Sequence, residues 1–369
     1  MRDSRARRGA GQVVVTGSAA ASGYGPGTAA LASGVLSGRP AFRPVQRFDV
    51  ATRRVGIAAT MPGNPDLRTE LTRATGEACD DAGLSAAARA RTPLFLAVHG
   101  GPEAFAAAVA RDLGLAEQGL RCYMSACVAA SGAIGDAAAM IARSLADRVI
   151  VAGGYLVERD QFALFDAGRV LADDGQVRPF SAGRRGLLLG DGVGAVVIES
   201  AAAARARCAP PTARIAGWGR SGDAYHPCQP RPDGLGLARA ITAALQRAGA
   251  APGDLGYVNA HGSGTRVSDS AEASALRLAL GDAARFVPVS STKSLHGQAL
   301  EASGVLELIV TLLALRKGML PVNAGYLGPD SECGLRLVLG EPLAAPAQLA
   351  MSLNCAFGGS NTALIVGLP

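Results

Sequence analysis

The sequence predicts an α/β protein, with a parallel or mixed sheet covered by helices on both faces. Short β-rich runs alternate with Ala-rich helical stretches along the whole chain. Of the 369 residues 49% are hydrophobic but only 4% are aromatic, a profile that fits tight packing of small side chains. The stretch AAAARARCAPP at 201–211 also separates two portions of similar length and similar α/β rhythm. It predicts two halves, 13–209 and 210–369, behind a flexible basic arm at 1–12. No clear repeat relates the halves in sequence, so duplication rests on rhythm alone.

Each element follows from its pattern. VVVTGSA at 13–19 is a strand ending in small residues, and TPLFLAVHGG at 92–101 has the length and apolarity of a buried strand. CYMSACVAASGAIGDAAAMIARSLADRVIVAGG at 122–154 reads as strand, helix, strand. GVGAVVIES at 192–200 and PTARIAGWG at 211–219 are further strands. LARAITAALQRAGA at 237–250 is helical, and GYVNAHGSGT at 256–265 is a strand running into a glycine turn. SGVLELIVTLLALRKG at 303–318 is an apolar helix, and ALIVG at 363–367 is the last strand.

Composition excludes several functions. Net charge is +6, but the arginines are scattered, with no aromatic-interleaved patch for nucleic acid. An acidic protein partner, a phosphate-bearing ligand or a genomic arginine bias fits the charge. The seven cysteines are odd in number and none is spaced as CxxC, which points to reduced thiols in the cytoplasm and excludes a disulfide framework or a zinc site. Residues 1–12 lack the apolar run of a signal peptide, and no apolar stretch reaches the ~18 residues of a membrane span.

Cys127 stands where a strand meets a helix, in SACVAA. A helix N-terminus favours a thiolate, so the expectation is a lowered pKa and a nucleophile, against the alternative of a buried structural cysteine. His261 enters a turn rich in Gly and hydroxyls, a usual address for an active-site side chain in open α/β sheets; a satisfied core histidine is the alternative. In NCAFGGSN, Gly358 and Gly359 can aim backbone N–H groups at a ligand, or form an ordinary tight turn. Lys293 is one of only two lysines among 36 basic residues, so its surroundings call for a compact ammonium.

Taken together, these stretches resemble the β-ketoacyl-[acyl-carrier-protein] synthases of the thiolase superfamily, especially the elongating group and its type II polyketide relatives. VVVTGSAAASGYGPG is similar to the family's opening strand and turn, and FDV at 48–50 to its early FD motif. SACVAASGAIGDA resembles the nucleophile motif, and RPFSAGRRGLLLGDG the RPFD…GEG stretch. VNAHGSGTRVSD resembles HGTGT…D, STKSLHGQALEASG resembles STKS…GH…GAAG, and CAFGGSN resembles FGFGGTN. The order and spacing of the set make it specific.

The resemblance implies a thiolase-like fold of two similar βα halves in five α-β-α-β-α layers, as a homodimer or a heterodimer with a second ketosynthase-like subunit. It implies Cys127 as acyl-accepting nucleophile, His261 as first catalytic histidine, and the N–H groups of Cys127 and Phe357 as oxyanion donors, with Phe357 gating acyl entry. Lys293, Glu307 and Asp269 match a buried charged network, with Ser263 and Thr265 as nearby hydroxyls. Phe165, Gly358 and Gly359 fall at substrate-binding positions. No cofactor or metal is implied; the substrates ride on the phosphopantetheine of an acyl carrier protein.

The departures are informative. Gln298 stands where the elongating group has its second histidine, and His296, two residues earlier, is expected to face the surface. An amide can donate an N–H to an enolate oxygen but cannot act as a base. The interval from TPLFLAVHGG to Cys127 is shortened, in a region that shapes the dimer interface and acyl pocket of relatives. Leu156 replaces an acidic residue, Asp191 a glutamate, Cys355 a phenylalanine and Glu301 a glycine. Three readings follow: a decarboxylating ketosynthase of fatty-acid or specialised polyketide or polyene assembly; an acyltransferase that passes the Cys127 acyl group to an amine, alcohol or thiol; and a partner subunit resembling a chain-length factor, against which Cys127 argues.

Overall fold

A computed structural model describes residues 11–100 and 102–369. Of the expected basic arm, residues 1–10 lie outside the described residues. The first half contains strands β1 (Val13–Ser22), β2 (Pro93–Ala97), β3 (Ala116–Tyr123), β4 (Arg148–Tyr155) and β5 (Gly192–Ser200). The second contains β6 (Ala213–Gly222), β7 (Tyr257–Asn259), β8 (Val289–Ser290), β9 (Leu349–Ala356) and β10 (Ser360–Gly367). The sheet order is β3-β2-β4-β5-β1 in one and β8-β7-β9-β10-β6 in the other. If each half is renumbered from one, both read 3-2-4-5-1.

Strand directions repeat as well. The second strand of each half runs parallel to its two neighbours, and the fourth, fifth and first pair antiparallel. β1 and β6 join the halves antiparallel over Val13–Val15 and Ala213–Ile215. The duplication that sequence comparison could not show is therefore carried by topology.

The principal helices repeat in the same places: α1 (Leu67–Asp81), α2 (Pro102–Asp112) and α3 (Ala129–Ala142), then α4 (Leu235–Ala248), α5 (Arg266–Leu280) and α6 (Ser303–Lys317). α3 and α6 pack on each other between the two half-sheets. α1 and α2 cover one outer face, α4 and α5 the other, which completes five layers. α6 is buried almost all round, as a central-layer helix must be, and this explains its unbroken apolar sequence.

Two close approaches set the layers. In β6 a Cβ at Gly217 or Gly219 would meet a carbonyl oxygen of α4 at 2.1 or 1.9 Å, so only glycine lets that helix lie flat on the strand. A Cβ at Gly304 would meet the Ser131 nitrogen at 2.4 Å, so Gly304 lets the starts of α3 and α6 touch. Among the described residues no helix is long and apolar enough to cross a membrane.

Candidate active site

The site lies where α3 and α6 begin. β3 ends at Tyr123, Ala126–Val128 forms one tight turn, and α3 follows. Ala126 has φ +49°, a left-handed conformation that stores strain in the turn presenting Cys127. The Cys127 side chain is buried. Burial pushes its pKa up to about 12; the Lys293 charge pulls against this, and Glu301 and Glu307 add to it. Burial thus works against the lowered pKa expected at the helix N-terminus and favours the thiol form.

His261 is delivered by β7. The backbone N–H groups of His261 and Gly262 each donate to one oxygen of Glu272, both at 2.7 Å. Burial pushes Glu272 up to about 8. Burial, then the Lys293 charge, holds the His261 pKa well below its usual value, so the imidazole is neutral; its Nδ1 is buried with no hydrogen-bond partner. Glu272 escaped sequence reading. It lies one turn after Asp269 on α5, so two acids on one face of an Ala-rich helix were the available signal.

The expected charged network divides in two. Lys293 Nζ lies 2.5 Å from Glu307 Oε1, and Asn354 Nδ2 donates to Glu307 Oε2 at 2.7 Å. Asp269 belongs elsewhere: it accepts from the N–H of Phe180 (2.8 Å) and Gly264 (3.1 Å) and faces Arg184 at 3.9 Å. Burial pushes Asp269 up to about 7. It braces the 261–265 turn, where Ser263 and Thr265 join hydroxyls at 2.9 Å.

Gln298 Nε2 donates to Cys127 Sγ at 3.2 Å, and Gln298 Oε1 accepts from Ser303 Oγ at 2.7 Å. His296 is fully buried, not surface-facing as expected. Its ring is held between Thr292 Oγ1 (3.0 Å) and the Gly297 carbonyl (2.9 Å), and it is absent from the cleft. Burial, then Lys293, pushes its pKa down to about 3. The turn carrying it packs beneath the cleft, with the Leu295 carbonyl accepting from the Ala41 N–H.

Cys127, His261 and Gln298 open into one cleft of about 240 Å³, which Ser263, Thr265, Phe165 and Phe357 also line. Phe357 is half exposed, its ring centroid 6.2 Å from that of Phe165. Gly358 and Gly359 have φ +80° and +74°. The Gly358 N–H donates to the Pro227 carbonyl, so the expectation that it points at a ligand is corrected. Asp223 and Cys228, from a loop with no motif of its own, also line the cleft.

Of the substituted positions, Leu156, Asp191 and Glu301 are buried, and Cys355 is partly exposed. Asp191 pairs with Arg47 and accepts from the N–H of Met61 and Val157. Glu301 Oε1 meets His99 Nδ1 at 3.2 Å, a contact no motif foretold. Among the described residues no group of three or more His, Cys, Asp or Glu could hold a metal ion.

The family model for the β-ketoacyl synthase N-terminal domain matches residues 73–204, and that for the C-terminal domain matches 212–326. The chain is 38% identical over 247 residues to the 3-oxoacyl-[acyl-carrier-protein] synthase 2 of Staphylococcus aureus, covering 66% of this chain and 61% of that one. It is 39% identical over 276 residues to nodulation protein E of Rhizobium meliloti, covering 74% and 68%. Among solved structures, the ishigamide ketosynthase/chain length factor superposes with TM-score 0.91 at 27% identity, covering 97% of this chain and 99% of that one.

Proposed function

The chain belongs to the β-ketoacyl synthase family, and on that premise we propose that it is a decarboxylating condensing enzyme acting on carrier-bound acyl groups. The observation that carries this reading is the Gln298 N–H held 3.2 Å from the Cys127 sulfur in a cleft that also contains His261. That is a nucleophile with a polar donor beside it and a neutral imidazole within the same walls.

In the first half-reaction Cys127 Sγ bonds to the acyl carbonyl carbon. The carbon–sulfur bond to the carrier's phosphopantetheine breaks, and the cysteine proton passes to that leaving sulfur. The N–H groups of Cys127 and Phe357 serve as oxyanion donors. In the second, malonyl-carrier releases CO2 and leaves an enolate. The enolate carbon attacks the acyl-Cys127 carbonyl, a carbon–carbon bond forms, and Cys127 departs and regains a proton. The Gln298 amide and the neutral His261 each offer an N–H to the enolate oxygen, which places preorganised donors where charge develops. Lys293 and Glu307 hold the buried field around this point.

The partner is an acyl carrier protein, as in the name of the S. aureus relative. A second subunit, either another copy or a chain-length-factor-like chain, pairs along β3, an edge strand none of whose residues is buried. The product class is fatty acid or specialised polyketide or polyene. A second reading, transfer of the Cys127 acyl group to an amine, alcohol or thiol, is favoured only by the amide at 298.

Incubation with acyl-carrier and malonyl-carrier followed by intact mass tests the assignment. A Cys127 adduct together with a β-ketoacyl-carrier product is expected. An adduct without that product selects acyl transfer, and no adduct across a panel of donors overturns both.

A further inference from the structure

We propose that Ser303 is a positioning residue that holds the Gln298 amide with an N–H bond facing the reacting sulfur. The proposal rests on the condensing reading for the second half-reaction, and on geometry alone for the sulfur. Where the family motif reads GH…GAAG, this chain reads GQALEASG, so Ser303 takes the place of the second alanine. Two of the three departures in these six residues thus fall on partners that touch: Ser303 Oγ donates to Gln298 Oε1 at 2.7 Å, and Gln298 Nε2 donates to Cys127 Sγ at 3.2 Å. All three side chains are buried.

Chemistry explains the pairing. A primary amide has two ends of nearly equal shape and opposite hydrogen-bonding sense, so its neighbours decide which end faces a given atom. The backbone of Gln298 is already fixed, its N–H on the Leu188 carbonyl and its carbonyl on the Gly190 N–H, which leaves the side-chain torsions as the freedom to be set. A hydroxyl donating to Oε1 satisfies that buried acceptor, turns the N–H groups to the cleft and polarises them as donors. With alanine at 303, Oε1 is a buried acceptor without a donor, and rotation would bring its lone pairs against a thiolate or an enolate oxygen.

The test needs no carrier substrate. Alkylation of Cys127 by iodoacetamide is followed against pH, with the modified peptide located by mass, in the wild type, Ser303→Ala, Ser303→Thr, Gln298→Leu and the Gln298→Leu/Ser303→Ala double variant. Ser303→Ala is expected to slow alkylation at fixed pH by about tenfold, the loss of one modest hydrogen bond, and to move the profile to higher pH. Threonine restores both. Gln298→Leu reproduces the shift, and Ser303→Ala adds nothing to it. If the alanine variant does not fold, Ser303→Cys, a weaker donor, must give an intermediate shift. An unmoved profile, or an equal shift by Ser303→Ala in the leucine background, overturns the proposal. Coupling without any β-ketoacyl product in the wild type would sink the condensing reading and leave the role of Ser303 standing; product without coupling does the reverse.

Discussion

Each half of the molecule has a junction between its third strand and its central helix, and the two junctions are built to opposite specifications. In the first half, residues 124–128 form a short, partly exposed turn whose one buried reactive group is Cys127. In the second, residues 291–302 are longer and buried throughout, and carry Lys293, His296, Gln298 and Glu301. The shared strand order brings both helix starts to one point. On the proposed reading, one half supplies the reacting atom, and the other supplies its electrostatic surroundings. A duplicated scaffold can thus divide one site's work while keeping its architecture.

Changes on either side of this division test it. The largest effect is expected for Cys127→Ala, which removes the acyl adduct completely, as read by intact mass, because nothing in the second junction can replace the sulfur. Next comes Lys293→Ala, which leaves Glu307 buried without its counter-charge. Breaking such a pair costs about 3–5 kcal/mol, measured by denaturant unfolding, while replacing both partners by apolar residues costs less. A larger loss on changing both residues than on changing Lys293 alone would contradict the pairing.

A smaller, pH-dependent effect should come from the acids bracing the His261 turn. Burial raises Asp269 from 3.8 to about 7 and Glu272 from 4.5 to about 8. The folded protein holds these protons after the unfolded chain has released them. Their contribution to stability is therefore full below about pH 4 and is lost as pH rises toward 8. Asp269→Asn and Glu272→Gln should each flatten the fall in unfolding free energy between pH 5 and 8. An unchanged slope would show that both acids are ionised in the fold.

The motif residues were legible because the chemistry restricts residue type within short segments: Cys127 before a helix, His261 in a Gly-rich turn, Lys293 as a rare lysine. The strands and central helices were legible from apolar runs, such as 192–200 and 303–318. What escaped was whatever depends on distant packing. The Cys127 thiol is pushed up by burial where α3, α6, β9 and β10 pack around its turn, and no local window of sequence carries that sum. His296 stands in a turn that reads as exposed, yet the Gly190 backbone lies directly against it: a Cβ there would meet the His296 carbonyl at 2.0 Å. Ser303 and Glu272 act through partners five and eleven residues away, and only the folded turns bring them together.

The central claim is that the second junction serves condensation and the first serves loading. Single-turnover assays of Gln298→Leu with acyl-carrier, then malonyl-carrier, test it most directly. Loading of Cys127 should fall by no more than the roughly tenfold expected for its alkylation, while formation of β-ketoacyl-carrier falls by about 10²–10³, the usual cost of losing an oxyanion donor. Equal losses in both steps, or undiminished product, would contradict the account.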